Sequence, residues 1–525
     1  LETYSLQSSP GGSITIVGPR NGVSVNNSGK TLYIGADTTQ KVEISSSESD
    51  TKNGVTSDLV LAKKGSLFVA GKNIAISGVL NKYDDNDGLT AIYGVRVSDD
   101  LWPSDSSVVI GTESTESIRI DVKSDRRAVG LMVNIYGEAS LEAQDIQISS
   151  STNAIENASG VAKVGSGATV GLTLEAGGNA VQASGVMSET SIDGKLINLH
   201  GKDRAVSNKD GFVTVGSGST ETVTMTGDTG YAVFNQGAGA SLTLDAKSIT
   251  LKGGTTDGVA AVYNDIGSVA IGSENTELVS ITASAVQGVD KNGEAITAAG
   301  LSTIGYGTTT VQGRNVSIQS EDAGVFTMQG TTNITAEDTI KIVSAGEYGV
   351  LVQGNDESMT NPNQRTTTKL SAKDIVVTAE NGVGLGVFSY GKLDIDGNLD
   401  VRAKTAIDTR GNSETNINTE GKDHTVNIVG DIVFETPGVA QGSGNIVNST
   451  VNLKLTNADS SWTGNAVVMY PGNLENVQVD GMNLALENGA QWNVTTPDLT
   501  ISAPDGTANV PVAAVQNINS LNLSG

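Results

Sequence analysis

The sequence predicts an all-β solenoid, a parallel β-helix built from three short strands per coil. Three observations carry this reading. First, one phrase of apolar pair, glycine, polar turn and alternating strand recurs: "TLYIGADTTQKVEISS" from Thr31, "SVVIGTESTESIRIDV" from Ser107, "FVTVGSGSTETVTMTG" from Phe212 and "SVAIGSENTELVSITA" from Ser268. Second, the corresponding apolar residues Ile148, Leu174, Leu199, Met225 and Leu251 stand 26, 25, 26 and 26 residues apart. Third, no segment longer than a turn carries a helical apolar period, and only nine prolines in 525 residues interrupt potential strand ladders.

Each repeat contains three extended pieces. A lead strand, such as "ASLEA" at 139–143, is followed by a central strand of the form I-x-I. A third strand follows a glycine, as in "VGLMVNIYG" and "TGYAVFNQG". β-Branched residues alternating with polar ones between turn formers read as strands. The central pattern continues through Ile76, Ile120, Ile318, Ile342, Val377 and Val401 with looser spacing, and the wider gaps hold insertions. A strand that pairs with its counterpart one coil away must put aliphatics inward at the same places, so the coils come to resemble one another. A propeller needs about 40–50 residues per blade, which this spacing does not supply. At roughly 26 residues per coil, the chain would make about 19 coils in a rod on the order of 90 Å long.

Composition narrows the chemistry. Hydrophobic residues make up 37% and aromatics 4%, so the core is expected to be aliphatic. Fifty-eight acidic against 32 basic residues give a net charge of −26, which disfavours nucleic acid and anionic lipid as partners. The absence of cysteine excludes disulfides, thiolate metal sites and cysteine nucleophiles. No apolar run is long enough for a membrane-spanning helix, and no membrane insertion by this segment is expected. The N-terminal "LETYSLQSSPGG" lacks the pattern of a signal peptide, which suggests that any such signal has been removed or never existed.

No nucleophile is assigned. There is no G-x-S-x-G elbow, and the two histidines, His200 and His424, read as turn residues rather than as bases of a triad. No cofactor is expected. The insertion after Leu80 carries "NKYDDNDG", where Asp84, Asp85 and Asp87 form a weak calcium candidate. An EF-hand register fails there, because Tyr83 takes the first ligand position and Gly94 the twelfth. Protruding loops are expected near 79–106 and 354–368. Aromatic residues in such loops are the candidate partner contacts: Tyr83, Tyr93 and Trp102 in the first insertion, with Trp462 and Tyr470 near the C-terminal end. Tyr136, Phe234, Tyr263, Phe388 and Tyr390 could form an aromatic column filling the core, with strand register deciding the face. The tripeptide at 399–401, Leu-Asp-Val, falls in a central strand with Leu399 and Val401 expected inward.

The region 484–525 contains "LALENGAQWNVT" and then "NINSLNLSG". It resembles the closing region of type V autotransporter passenger domains. The resemblance implies a right-handed three-faced β-helix over residues 1–450, followed at 451–525 by coils like the passenger stability region, with Leu484, Leu486 and Trp492 as cap core residues. It also implies export through the outer membrane to the cell surface by a C-terminal barrel. That barrel is expected to be absent, and the chain to be a passenger cut from a longer protein. The expected function is non-enzymatic adhesion to surfaces or to host or other cells, together with self-association. The partners would be a surface protein or glycan, or a second copy of the chain. A polysaccharide-processing enzyme with a carboxylate site and a passive spacer stalk are the alternatives.

Overall fold

The computed structural model describes residues 2–18, 22–46, 56–80, 91–97, 106–289, 295–354, 365–435, 449–469, 481–495, 500–502, 509–511 and 518–524. The protein is all-β, a parallel β-helix in which strands pair in register with the corresponding strands of the next coil. Two compact units divide it, residues 1–254 with 267–276, and residues 255–266 with 277–525.

In the first unit, each coil has separate lead, central and third strands, such as Glu138–Glu142, Asp145–Ser150 and Asn153–Ala158. The spacing read from the sequence is the register itself: Ile148 pairs with Leu174, Leu174 with Leu199, Leu199 with Met225 and Met225 with Leu251. Lead strands align Val69, Ile110, Leu141, Val164 and Ile192. Third strands align Val95, Leu131, Ile155, Val181 and Val206. All these side chains are at most 1% exposed, so every coil feeds three aliphatic columns into one core.

From the second coil of the first unit onward, the corner between lead and central strands has two forms that alternate. The long form is glycine followed four residues later by threonine: Gly35/Thr39, Gly111/Thr115, Gly165/Thr169, Gly216/Thr220 and Gly272/Thr276. Each of these glycines has φ between 72° and 80°, the left-handed region that glycine enters without a Cβ penalty. Each threonine is buried, and its Oγ1 accepts a backbone N–H within its own turn, as from Ser217 to Thr220 at 2.9 Å. In four of the five, the same hydroxyl donates to the carbonyl of an adjacent short turn: Thr115 to Gly71, Thr169 to Ala143, Thr220 to Gly194 and Thr276 to Ala246. One buried hydroxyl therefore closes a turn and joins two coils.

The corner after the third strand buries a polar side chain in place of an aliphatic one. Asn157 and Asn208 each accept an N–H, from Gly160 and Gly211, and donate back to those residues' carbonyls. Asn208 also donates to Asn235 Oδ1 at 2.7 Å. In the second unit threonine takes over, and hydroxyls run in series from Thr368 to Thr327, Thr332, Thr303 and Thr309 at 2.7 to 2.9 Å. Buried polar groups need such partners.

The second unit saves residues at the other corner. Lead and central strands fuse in Thr308–Ser320 and Thr331–Ser344, and in Thr367–Phe388 and Lys392–Arg410 the third strand joins them as well. Register shifts at Gly313/Asn315, Thr335/Thr339 and Ser371/Asp374 replace the glycine–threonine turn with a bulge-like bend. That accounts for the shorter 24-residue spacing from Ile318 to Ile342 and from Val377 to Val401, both pairs being in register. The column continues from Val401 through Ile428 to Trp462 and Trp492.

Candidate functional site

Several residues singled out from the sequence have structural duties. Trp462 was expected to project from a loop, but it lies in the strand Ser461–Thr463 and is completely buried. Its indole stacks on Trp492 with centroids 4.9 Å apart and planes 1° from parallel, and its Nε1 donates to the Gly430 carbonyl at 3.1 Å. Because it occupies the central inward column, it offers a partner no surface. Tyr93 is likewise 7% exposed, in the strand Ala91–Val97, with the guanidinium groups of Arg96 and Arg127 at 5.0 and 5.8 Å from its ring centroid. Burial raises its hydroxyl pKa, and the two cations oppose that shift. Tyr83, Asp84, Asp85, Asp87, Trp102 and Tyr470 lie outside the described residues.

The five aromatics do not fill the core as a column. Phe234 stands between inward Val233 and Asn235, faces outward, and is covered by Arg204, 4.0 Å from its centroid. Phe388 is covered by Arg410 at 4.2 Å and meets Tyr348 edge-on. Tyr263 is half-buried, while Tyr136 and Tyr390 occupy left-handed turn positions at φ 61° and 67°. Register placed these rings outside because the inward slots of the third strand were already taken by alanine, aliphatics and the buried amides.

His200 lies within the central strand Leu196–Gly201, not in a turn, and its Nε2 is 2.9 Å from Asp228 Oδ1 on an exposed surface. Leu399 and Val401 point inward and Asp400 pairs with Arg402, so the Leu-Asp-Val backbone is part of the core wall. Of the expected cap residues, Leu484 is buried, and Leu486 and Trp492 are half-buried. Among the described residues no three histidine or carboxylate side chains converge as a metal site.

A concave surface lies elsewhere, on the outer face of the lead strands of the second unit. Alternation turns Leu393, Ile395, Thr415, Ile417, Val451, Leu453 and Leu484 inward. The intervening residues face solvent and stack in register: Asp394 on Asn416, Asn416 on Asn452, Asn452 on Asn483 and Asn483 on Ser520. Their side chains form a hydrogen-bonded ladder. Asn416 donates to Asp394 Oδ1, Asn452 to Asn416 Oδ1, Asn483 to Asn452 Oδ1 and Ser520 to Asn483 Oδ1, each at 2.8 Å. Like amides in an in-register parallel stack satisfy one another in this way.

One turn raises a wall beside the ladder. After Ile417, residues 418–425 loop outward before the next strand begins at Val426. Asn418 adopts φ 51°, accepts the Lys422 N–H, and donates to the Lys422 and Lys454 carbonyls. Lys422 bridges Asp396 and Glu420 at 2.7 and 3.1 Å, and His424 Nε2 lies 3.2 Å from Asp396. The hydrogen bond from Lys422 holds the Asp396 carboxyl below the ordinary carboxylate range, against an opposing effect of burial. Between this wall and the ladder lie two adjoining hollows of about 270 and 540 Å³, which share Asn416 and Thr419.

The sequence reading missed this groove. The signal present was asparagine at the outward position between two inward residues in three consecutive lead strands, in "TNIN", "VNLK" and "MNLA". Compared with family models, with curated proteins and with solved structures, the chain matches none.

Proposed function

We propose that the protein is a non-enzymatic bacterial surface adhesin, an autotransporter-type passenger that attaches to surfaces or other cells and associates with its own kind. The observation that carries this reading is the outward polar ladder of the second unit, a row in which Asn416, Asn452, Asn483 and Ser520 stack on four consecutive coils beside Asp394. Each contact such groups make is weak, and a repeated array adds them as multivalent binding does. The closing phrase around Trp492 supports the autotransporter reading and, with it, export to the cell surface.

The polysaccharide-processing alternative rests on one feature, the carboxylates Asp394, Asp396 and Glu414 along the groove. A glycosidase needs one carboxyl that holds its proton near neutral pH. Asp396 is shifted the other way and serves as an ion-pair acceptor for Lys422.

The test displays the full chain on cells and measures attachment to matrix- and glycan-coated surfaces and cell–cell clumping. In parallel, the purified chain is incubated with a polysaccharide panel and assayed for new reducing ends. Attachment or clumping without turnover is expected. Turnover that disappears in Asp394→Asn would replace the adhesin reading with the enzymatic one.

A further inference from the structure

From the groove of the second unit we infer a binding site for a neutral, linear oligosaccharide lying along the ladder, at right angles to the strands. This rests on the adhesin reading and names a ligand class for it. Three features of the groove select this chemistry.

The first is periodicity. Asp394, Asn416, Asn452, Asn483 and Ser520 present a polar rung on each of five consecutive coils. At about 4.8 Å per step the row is about 19 Å long. A polymer whose units advance by a similar distance can meet a polar side chain at each rung. Extended sugar chains have that rise, and carry several hydroxyls per unit.

The second is hydrogen-bonding capacity. An asparagine amide has two donors and two acceptor lone pairs. Asn452 spends one donor on Asn416 and one lone pair on Asn483. The remaining N–H and lone pair can serve a hydroxyl, which both donates and accepts. The ladder also fixes the orientation of each amide before a ligand arrives, which lowers the ordering cost of binding.

The third is charge. Three lysines and four carboxylates line the two hollows, a near balance within a chain of net charge −26. Long-range repulsion works against polyanions such as sulfated or uronate-rich glycans. A polycation would be drawn to the acidic surface at large, with no preference for this groove. A neutral polyol is the class that the groove favours over the rest of the surface. No aromatic ring lines either hollow, so sugar-ring stacking is missing and affinity must accumulate over several units.

The experiment titrates the full chain, by calorimetry at physiological salt, with neutral linear oligosaccharides of two to six units from the β-1,4-glucan, mannan and chitin series. Oligogalacturonate and heparin fragments of matching length serve as acidic probes. At least one neutral series is expected to bind, with affinity rising with length and levelling off near five units. Asn452→Ala combined with Asn483→Ala should weaken it at least tenfold. Asn452→Asp, which keeps the shape and adds a negative charge, should also weaken it. Thr224→Ala on the first unit should bind as the wild type does. Circular dichroism and hydrogen exchange of 414–495 establish that each variant is folded. The inference is overturned if only acidic probes bind, if affinity is independent of length, or if the folded double variant binds undiminished. Attachment of displaying cells that persists while every neutral probe fails overturns the groove assignment alone. Loss of attachment and clumping in the wild type as well overturns the adhesin reading beneath it.

Discussion

Thr220 shows how much a single side chain can hold in a coil. Its hydroxyl accepts the Ser217 N–H and donates to the Gly194 carbonyl, with no exposed surface. Thr220→Val keeps the volume and strands both groups, which should cost about 1–3 kcal/mol. Thr220→Ser keeps the hydroxyl and should lose about 1 kcal/mol or less, mainly the missing methyl. In a solenoid such losses are local, so hydrogen exchange at 192–227 is the measurement, and equal protection in the two variants would remove the hydroxyl's assigned role. Asp322 makes the opposite point. It is 4% exposed, its Oδ2 accepts the Ala298 N–H at 2.9 Å, and burial raises its pKa above the ordinary carboxylate value. A raised folded pKa means that the native state binds the proton more tightly, so the ionised group costs stability at neutral pH. That cost is relieved as pH falls through the folded value. Asp322→Asn should therefore protect 298–350 better than wild type at pH 7, and the advantage should shrink toward pH 4. An advantage that grows on acidification would contradict the sign. Neither residue was legible individually. The threonines repeat four places after a glycine in plain view, but as polar letters in a polar turn they look like surface until their burial is known.

At the scale of strands and corners, legibility followed the physics of stacking. A coil must return its chain to the same place after a nearly fixed length, so the 25–26 residue spacing became the register of the central column without adjustment. Where the spacing tightened to 24, the cause was a different corner, a bulge in place of a glycine–threonine turn. Spacing reveals that a coil is shorter and does not say which corner shortened. Trp462 was misjudged for a related reason: "SSWTGN" has the composition of a loop, yet its tryptophan follows Ile428 in the inward column. The corner glycines carry the sharpest test at this scale. Gly29 and Gly165 both have positive φ, at 70° and 79°. A Cβ on Gly29 meets open space, whereas one on Gly165 would run into the Asp193 carbonyl oxygen of the adjacent coil. Gly29→Ala should cost about 1–2 kcal/mol, the left-handed penalty alone. Gly165→Ala adds the collision, and should cost clearly more, with loss of exchange protection reaching both 161–176 and 189–201. Equal costs at the two sites would mean that the neighbouring coil yields, and that the corners are not rigidly stacked.

For the molecule as a whole, charge was fully legible and its arrangement was not. The net −26 follows from counting, whereas the near-balanced groove exists only once Lys369, Lys392 and Lys454 from separate strands are brought to one face. The two facts together determine how self-association should respond to solution conditions. Contacts between copies through polar rungs act over hydrogen-bond distances, whereas the repulsion between two chains of this charge acts over a Debye length. That length is about 30 Å at 0.01 M salt and about 8 Å at 0.15 M. In dilute buffer, repulsion therefore opposes approach before any rung can pair, and at physiological ionic strength it is confined close to the surface. Association of the purified chain, read by light scattering at fixed concentration, should rise from 10 mM to 150 mM sodium chloride. It should rise again as pH is lowered toward the sequence pI of about 4.4, where the net charge vanishes. Divalent cations should act at lower concentration than sodium, because they screen more strongly at equal molarity. If attraction between opposite charges on facing copies held the assemblies together, salt would dissolve them instead. Maximal association in salt-free neutral buffer would thus assign the contact to ion pairs such as Arg365 with Glu414 or Lys454 with Glu487, exchanged between copies, and not to the neutral amide ladder.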